Sequence, residues 1–130
     1  MTNRELIELA ALAAGIEGEW QTCMGEVFLI PVEDELFHAG IAWNPLTNKH
    51  QAFELMVKLQ ASVSYWSNLT SGERVVCVSI QCPGWDEPID QHSEEEELGD
   101  DPEAATCLAI TRCAAEVGKL IKEANDAKAK

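Results

Sequence analysis

Apolar residues recur at helical spacing near both ends of the chain. Thr2 and Glu5 have the spacing of a capping box, and an apolar repeat then continues to Gly15, which predicts a helix over residues 3–14. Asp101-Pro102 has the residue types of a helix start, and a broad apolar stripe follows it. We therefore predict a long final helix that begins there.

The middle of the chain predicts a helix followed by a β-hairpin. Asn48 is a favourable N-cap, and a helical repeat predicts a helix over about 49–60. Period-two alternation then marks two strands, Ser62–Ser67 and Arg74–Gln81, on either side of a glycine-containing loop. The apolar positions of these patterns are Ala52, Phe53, Met56, Val57 and Leu59 in the helix and Val63, Tyr65, Val76, Val78 and Ile80 in the hairpin.

Residues 16–43 carry weaker signals. Residues 27–30 form a short apolar run of the strand type, and Pro31 ends it because proline cannot donate to a central ladder. Asn44-Pro45 breaks the chain before the second helix, since the residue before a proline is driven from the helical region. The pattern leaves the structure of residues 16–42 open.

Length and composition are those of one folded domain. The chain has 130 residues, of which 46% are hydrophobic and 25% charged, so it can bury a core. We place the domain at 1–124 and predict a frayed tail at 125–130. No apolar run suits a membrane span, and the first residues lack a signal-peptide pattern. Five cysteines without a CxxC pair then predict reduced thiols and a cytoplasmic location.

Charge is concentrated in one segment. The formal net charge is −14, and ten of the 23 acidic residues lie between Asp86 and Glu103, where there is no lysine or arginine. The rest of the chain has 13 acidic and 9 basic residues and is nearly ordinary. A chain without a basic face is a poor non-specific ligand for nucleic acid or for an anionic membrane, so we predict neither as a direct partner.

Three interpretations of this acidic segment stay open. We predict a loop at about 84–101, and the simplest interpretation is that its charges repel one another and are only solvated. A cation site is the second, although the segment does not match the spacing of a calcium loop. The third is mimicry, in which a row of carboxylates occupies a basic groove that normally binds phosphates.

Four tryptophans are many for a chain of this length. We interpret Trp20 and Trp43 as core residues. Trp66 lies on the polar-alternating face of its strand, and Trp85 follows a Pro-Gly break, so these two are the candidates for contact with a partner or for stacking on a planar ligand.

Motifs of catalysis and cofactor binding are missing from the sequence. It has no GxSxG, P-loop, GxGxxG, kinase or deaminase pattern, and its three histidines show no zinc spacing. Cys77, Cys107 and Cys113 lie in apolar patterns and are interpreted as small core residues. We therefore predict a protein that is not an enzyme and uses no metal and no cofactor.

Two motifs carry a resemblance to a known family. Residues 43–47 read W-N-P-L-T ahead of the second helix, and residues 101–110 read D-P-E-A-A-T-C-L-A-I at the start of the last one. Together with the hairpin between them, they resemble the phage ABA sandwich domain family, small proteins of phages and prophages. The resemblance extends from the first helix to about Gly118.

The resemblance implies an α/β (α+β) fold, a three-layer helix–sheet–helix sandwich with a small, largely antiparallel sheet. It also implies a phage protein in a bacterial host cytosol, and it brings no catalytic residues with it. The sequence departs from the family in the Glu94–Glu97 run and in the long 16–42 segment. If this protein has a function that the family does not share, we expect the residues for that function in these two segments.

The leading hypothesis is a non-enzymatic interaction protein that inhibits a host nucleic-acid-binding defence complex through its acidic surface. Its partner would be a host protein with a basic surface. The predicted contact residues are Trp85, Asp86, Glu87, Asp90, Glu94, Glu95, Glu96, Glu97, Asp100 and Asp101. The alternative is a protein that binds or sequesters a nucleotide-like ligand by stacking on Trp66 or Trp85, provided that Arg74, Arg112 or lysines gather at the pocket. A component of virion assembly, which would form a homo-oligomer, is the third hypothesis.

Overall fold

The computed structural model of the chain describes residues 1–22, 25–30, 41–67, 70, 72–81, 91–97 and 99–128. Three helices lie in these ranges: α1 (Asn3–Ala14), α2 (Lys49–Lys58) and α3 (Pro102–Lys128). The strands there are β1 (Glu19–Gln21), β2 (Val27–Ile30), β3 (Ile41–Ala42), β4 (Ser62–Ser67), β5 (Arg74–Gln81) and β6 (Gln91–Glu97). The coarse α+β class predicted from the sequence is confirmed.

The helix boundaries follow from local capping. The Thr2 hydroxyl accepts a hydrogen bond from the backbone N–H of Glu5 at 3.2 Å, and Gly15 closes α1 in the left-handed region at φ 70°. The Asn48 side chain accepts from the N–H of Gln51 at 3.0 Å and starts α2. Both predicted helices are thereby confirmed.

The strands form two separate antiparallel sheets within the described ranges. The first has the order β1-β2-β3 and the second the order β4-β5-β6, so β5 is the central strand of the second sheet. The predicted hairpin is β4 and β5, with Val63 opposite Val78 and Tyr65 opposite Val76. The sequence analysis expected one small sheet, whereas the described residues form two, because short strands in residues 16–42 pair only with one another. The predicted layering as helix, sheet and helix stays a prediction.

The predicted acidic loop at about 84–101 is wrong for Gln91–Glu97, which form β6. This strand pairs antiparallel with β5, with Glu94 opposite Val78 and Glu97 opposite Val75. A glutamate run has a low strand propensity, but the ladder bonds join backbone groups, and strand preference depends strongly on context. The open edge of β5 therefore outweighs the local preference. Residues 82–90 and 98 lie outside the described residues.

The core is centred on α3, which α1 and the second sheet both cover. Val76, Val78 and Ile80 on β5 are buried, and the Cys113 thiol of α3 lies 3.5 Å from the backbone carbonyl of Val78. On the α1 side, Gly118 is buried directly against the backbone of Leu9. A small residue at this position lets the two helix backbones approach closely.

Two further predictions differ from the structure. The tail expected to fray at 125–130 is helical as far as Lys128. Asn125 and Asp126 have low helix propensity, so the helix is continued there by the turns before them, and Ala127 and Lys128 support it. In α2, Phe53 and Val57 belong to the predicted apolar stripe but are exposed, whereas Ala52 and Leu55 are buried. Helical spacing identifies apolar positions without showing which of them a neighbour covers.

The first sheet packs its aromatic residues around Phe28. The Phe28 ring lies 5.3 Å from the ring of Trp20 and 6.1 Å from that of Trp43, and the Arg4 guanidinium lies 4.8 Å from the Trp20 ring. Trp43 is buried and Trp20 half-buried, which confirms their interpretation as core residues. In the described part of the chain, no helix is both long and apolar enough to cross a bilayer.

Candidate functional site

A surface groove of about 650 Å³ lies between α2, β4 and the first turns of α3. Its floor is apolar: Ala52 comes from α2, and Cys107 and Ile110 come from α3, and all three are buried. The volume lies in the range of sites that hold small molecules. Because this groove combines such a volume with a buried apolar floor, we take it as the candidate site.

Three aromatic side chains form the rim of the groove. Phe53 from α2 and Tyr65 from β4 are each 57% exposed, and Trp66 from β4 is 54% exposed. Single exposed apolar residues are common, but three large rings around one concavity form an apolar patch typical of binding sites. Their flat faces are suited to stacking on a planar ligand.

The Tyr65 ring is held in place by a hydrogen bond to α3. Its hydroxyl lies 3.0 Å from the hydroxyl oxygen of Thr106, and Thr106 itself donates to the carbonyl of Pro102 at 2.7 Å. Because the threonine hydroxyl has one hydrogen, already given to Pro102, the tyrosine is the donor. Tyr65 therefore links the edge of the second sheet to the first turn of α3 and forms one wall of the groove.

Trp66 follows Tyr65 on the same strand and so leaves the sheet on the opposite face. It nevertheless lines the groove, at its outer rim. Trp66 is the residue of the predicted ligand-stacking pair that the described structure places at a concavity. Trp85, the other member of that pair, lies outside the described residues.

Positively charged groups stand at two points of the groove. Lys49, the first residue of α2, forms an ion pair with Glu103 in the first turn of α3. The hydrogen bond to Glu103 and then the charge of Glu103 raise the pKa of Lys49 above its usual range. Arg74 begins β5 opposite Ser67 and lines the groove as well, and no ion pair joins it to another described residue. A nucleotide-like ligand is expected to require cations at the pocket. Lys49 and Arg74 provide them, whereas Arg112 lines a different concavity.

Cys107 contributes a thiol to the floor of the groove. Burial raises its pKa above the usual range, and the nearby charge of Lys49 only partly opposes this shift. A thiol held in its neutral form is a poor nucleophile and a poor metal ligand. Cys107 therefore acts as a small apolar surface, as the sequence pattern predicted.

The predicted acidic contact residues are only partly placed. Trp85, Asp86, Glu87 and Asp90 lie outside the described residues. Glu94, Glu95, Glu96 and Glu97 lie on β6, at the edge of the second sheet away from β4.

Two acidic contact residues precede α3. Asp100 is exposed in the turn before the helix, and Asp101 accepts a hydrogen bond from the N–H of Ala104 at 3.0 Å as a helix cap. Asp101 therefore has a structural role. Within the described part of the chain, no three histidine, cysteine or acidic side chains come together in a way that could hold a metal ion.

The W-N-P-L element is explained by local hydrogen bonds. The Asn44 side chain accepts from the N–H of Leu46 at 3.0 Å, and the Gln51 side chain accepts from the N–H of Asn44 at 2.7 Å and donates to the carbonyl of Ala42 at 2.7 Å. These bonds fix the turn between β3 and α2. The element therefore orients the helix that carries Lys49 and Phe53.

Comparison with known proteins adds no assignment. No family model matches the sequence, and no curated protein and no solved structure matches the chain. The resemblance to the phage ABA sandwich domain family therefore stays a prediction from the motifs.

Proposed function

We propose that this protein is a non-enzymatic binding protein that holds a small planar, nucleotide-like ligand in the groove between α2, β4 and α3. The proposal rests on one observation: three exposed aromatic rings surround a groove whose floor is buried and apolar. Tryptophan and phenylalanine rings bind bases by stacking, which is worth about 1–3 kcal/mol per base. Trp66 is the stacking residue that the sequence already singled out.

The charges of the groove support a ligand with an anionic group. Arg74 presents a planar guanidinium that can bind a phosphate through two parallel hydrogen bonds. Lys49 is a second cation, but Glu103 competes for it through their ion pair. A chain with a net charge of −14 repels anions at long range, so these two local cations would have to carry the recognition of the phosphate.

The first test compares AMP with adenosine by isothermal titration calorimetry. Trp66→Ala should weaken binding of both by about tenfold to a hundredfold because a stacking contact is lost. Arg74→Gln should weaken AMP alone. Ile41→Ala is the matched control, since Ile41 is also 57% exposed but lies away from the groove.

Glu103 provides a test with the opposite sign. Glu103→Gln frees Lys49 from its ion pair, so AMP should bind more tightly while adenosine is unchanged. If neither compound binds the wild-type protein, or if Ile41→Ala weakens binding as much as Trp66→Ala, the proposed site is wrong.

A second candidate function rests on the acidic segment. We propose as the alternative that the protein inhibits a nucleic-acid-binding protein of a bacterial host by presenting carboxylates to its basic surface. The supporting observation is that four consecutive glutamates occupy one edge strand, β6, rather than a loop. Phage origin, a cytoplasmic location and the three-layer sandwich expected from the motifs belong to this proposal too.

The test of the alternative uses two variants of equal charge. Replacing Glu94–Glu97 by glutamine should weaken the binding of a basic host protein and flatten the salt dependence of the binding that is left. The control replaces Glu17, Glu19, Glu123 and Asp126, all exposed, by their amides. Equal loss in both variants would mean that only the net charge matters, and unchanged binding in both would remove the acidic edge from consideration.

A further inference from the structure

The two edges of the second sheet differ sharply in charge. Its order is β4-β5-β6, so β4 and β6 each have one side without a strand among the described residues. β6 contains four glutamates, whereas β4, with the sequence Ser-Val-Ser-Tyr-Trp-Ser, contains no charged residue and no proline. Edge strands expose unpaired N–H and C=O groups, and proteins commonly block them with charges, prolines or bulges. Among the residues of these two strands, β6 carries charges of this kind, whereas β4 carries no charge and no proline.

Because β4 has no charge and no proline, its outer edge is suited to pairing with a strand of another chain. Its outer residues are exposed, and its ladder with β5 is in continuous register over all six residues, from Ser62 opposite Ser79 to Ser67 opposite Arg74. A strand that pairs with β4 gains backbone hydrogen bonds and covers part of the exposed Tyr65 and Trp66 rings.

We propose that β4 pairs antiparallel with β4 of a second copy of the chain, so that two second sheets join into one six-stranded sheet. A two-fold axis at Ser64 would set Val63 of each copy opposite Tyr65 of the other. Aromatic and β-branched residues form favourable cross-strand pairs, and a two-fold interface supplies this pair twice. This proposal does not rest on the ligand proposed for the groove, although the contact and the groove share Tyr65 and Trp66.

The distribution of charge selects β4 rather than β6 for this contact. Pairing through β6 would place two glutamate runs about 5 Å apart, which like-charge repulsion opposes. Pairing through β4 leaves the two β6 strands at the outer edges, about five strand spacings or 24 Å apart. That distance is about three Debye lengths at physiological ionic strength, so the repulsion between the acidic strands is screened.

Analytical ultracentrifugation of three proteins tests the dimer. Ser64→Lys places two ammonium groups opposite each other at the axis, so it should weaken the dimer at least about tenfold. Ser64→Thr keeps the position uncharged and should leave the dimer intact. Gln21→Lys is the matched control, because it adds the same charge to an exposed position on an edge strand of the first sheet.

The wild-type protein gives two further readouts. Raising the salt concentration should strengthen the dimer because it screens the repulsion between two acidic chains, and the amides of residues 62–67 should exchange more slowly with deuterium at high protein concentration. A monomer at every concentration overturns the proposal. So does equal weakening by Ser64→Lys and Gln21→Lys, and so do species that grow without limit, which indicate an open, head-to-tail contact.

Discussion

The long helix α3 packs differently at its two ends. In its C-terminal half, the backbone of α1 comes so close that a methyl group at Gly118 would overlap the carbonyl oxygen of Leu9. In its N-terminal half, α2 and β4 stand apart and leave the groove of about 650 Å³ above Cys107 and Ile110. We call the α1 side of α3 the closed side, and the side that faces α2 and β4 the open side.

The two sides of α3 differ in their expected roles: the contact with α1 stabilises the fold, and the groove side is open to a ligand. Close packing on the α1 side leaves no room for variation, because an added atom must displace a backbone. The groove side keeps large aromatic surface exposed, which a packing contact would have buried. Substitutions on the two sides should therefore affect different properties, stability on one and ligand binding on the other.

The largest expected effect is on the closed side. Gly118→Ala should lower the free energy of unfolding by about 2 kcal/mol or more, because the new methyl group forces α1 and α3 apart. Asn125→Ala in the exposed end of the same helix is the control, and it should stabilise slightly through helix propensity alone. Urea unfolding followed by circular dichroism measures both. If Gly118→Ala also stabilises, the close approach of the two helices is wrong.

The sequence predicted those parts of the fold that local chemistry decides. Thr2 and Asn48 cap α1 and α2 where expected, and the alternation in residues 62–67 and 74–81 predicted the hairpin of β4 and β5. It missed β1, β3 and β6, because these short or highly charged strands form through pairing with β2 or β5 rather than through their own strand preference. The glutamate run on β6 shows this most clearly.

A smaller effect on stability is expected at the hydrogen bond that joins β4 to α3 beside the groove. Tyr65→Phe removes the hydrogen bond to Thr106 and should cost about 0.5–1 kcal/mol of stability, since the bond is partly exposed to water. Thr106→Ala removes the same bond from the other side. In a double-mutant cycle, the double variant should lose less than the sum of the two single losses. Strict additivity would show that the bond contributes nothing to stability.

The candidate site was harder to predict than the fold. The alternation of β4 singles out Trp66, because an indole interrupts its polar face. Arg74 is one of the cations, with Arg112 and the lysines, that a phosphate-bearing ligand would require. Phe53 belongs to the predicted apolar stripe of α2, and helical spacing does not reveal which part of such a stripe is left uncovered. The groove itself is built by three elements that are far apart in the sequence, so no local pattern could indicate it.

The smallest effect on stability is expected at the rim of the groove. Phe53→Ala should change the free energy of unfolding by less than about 0.5 kcal/mol, because the ring is mostly exposed and few of its contacts are lost. Leu55→Ala, two residues further along α2, is the control and should cost about 2–5 kcal/mol because Leu55 is buried.

The same pair of variants also separates stability from binding. Phe53→Ala should keep the thermal midpoint of the wild-type protein and still weaken AMP and adenosine to a similar extent, since it removes a stacking surface without touching the cations. If Phe53→Ala instead destabilises the protein as much as Leu55→Ala does, Phe53 belongs to the core, and the open side of α3 is packed like the closed one.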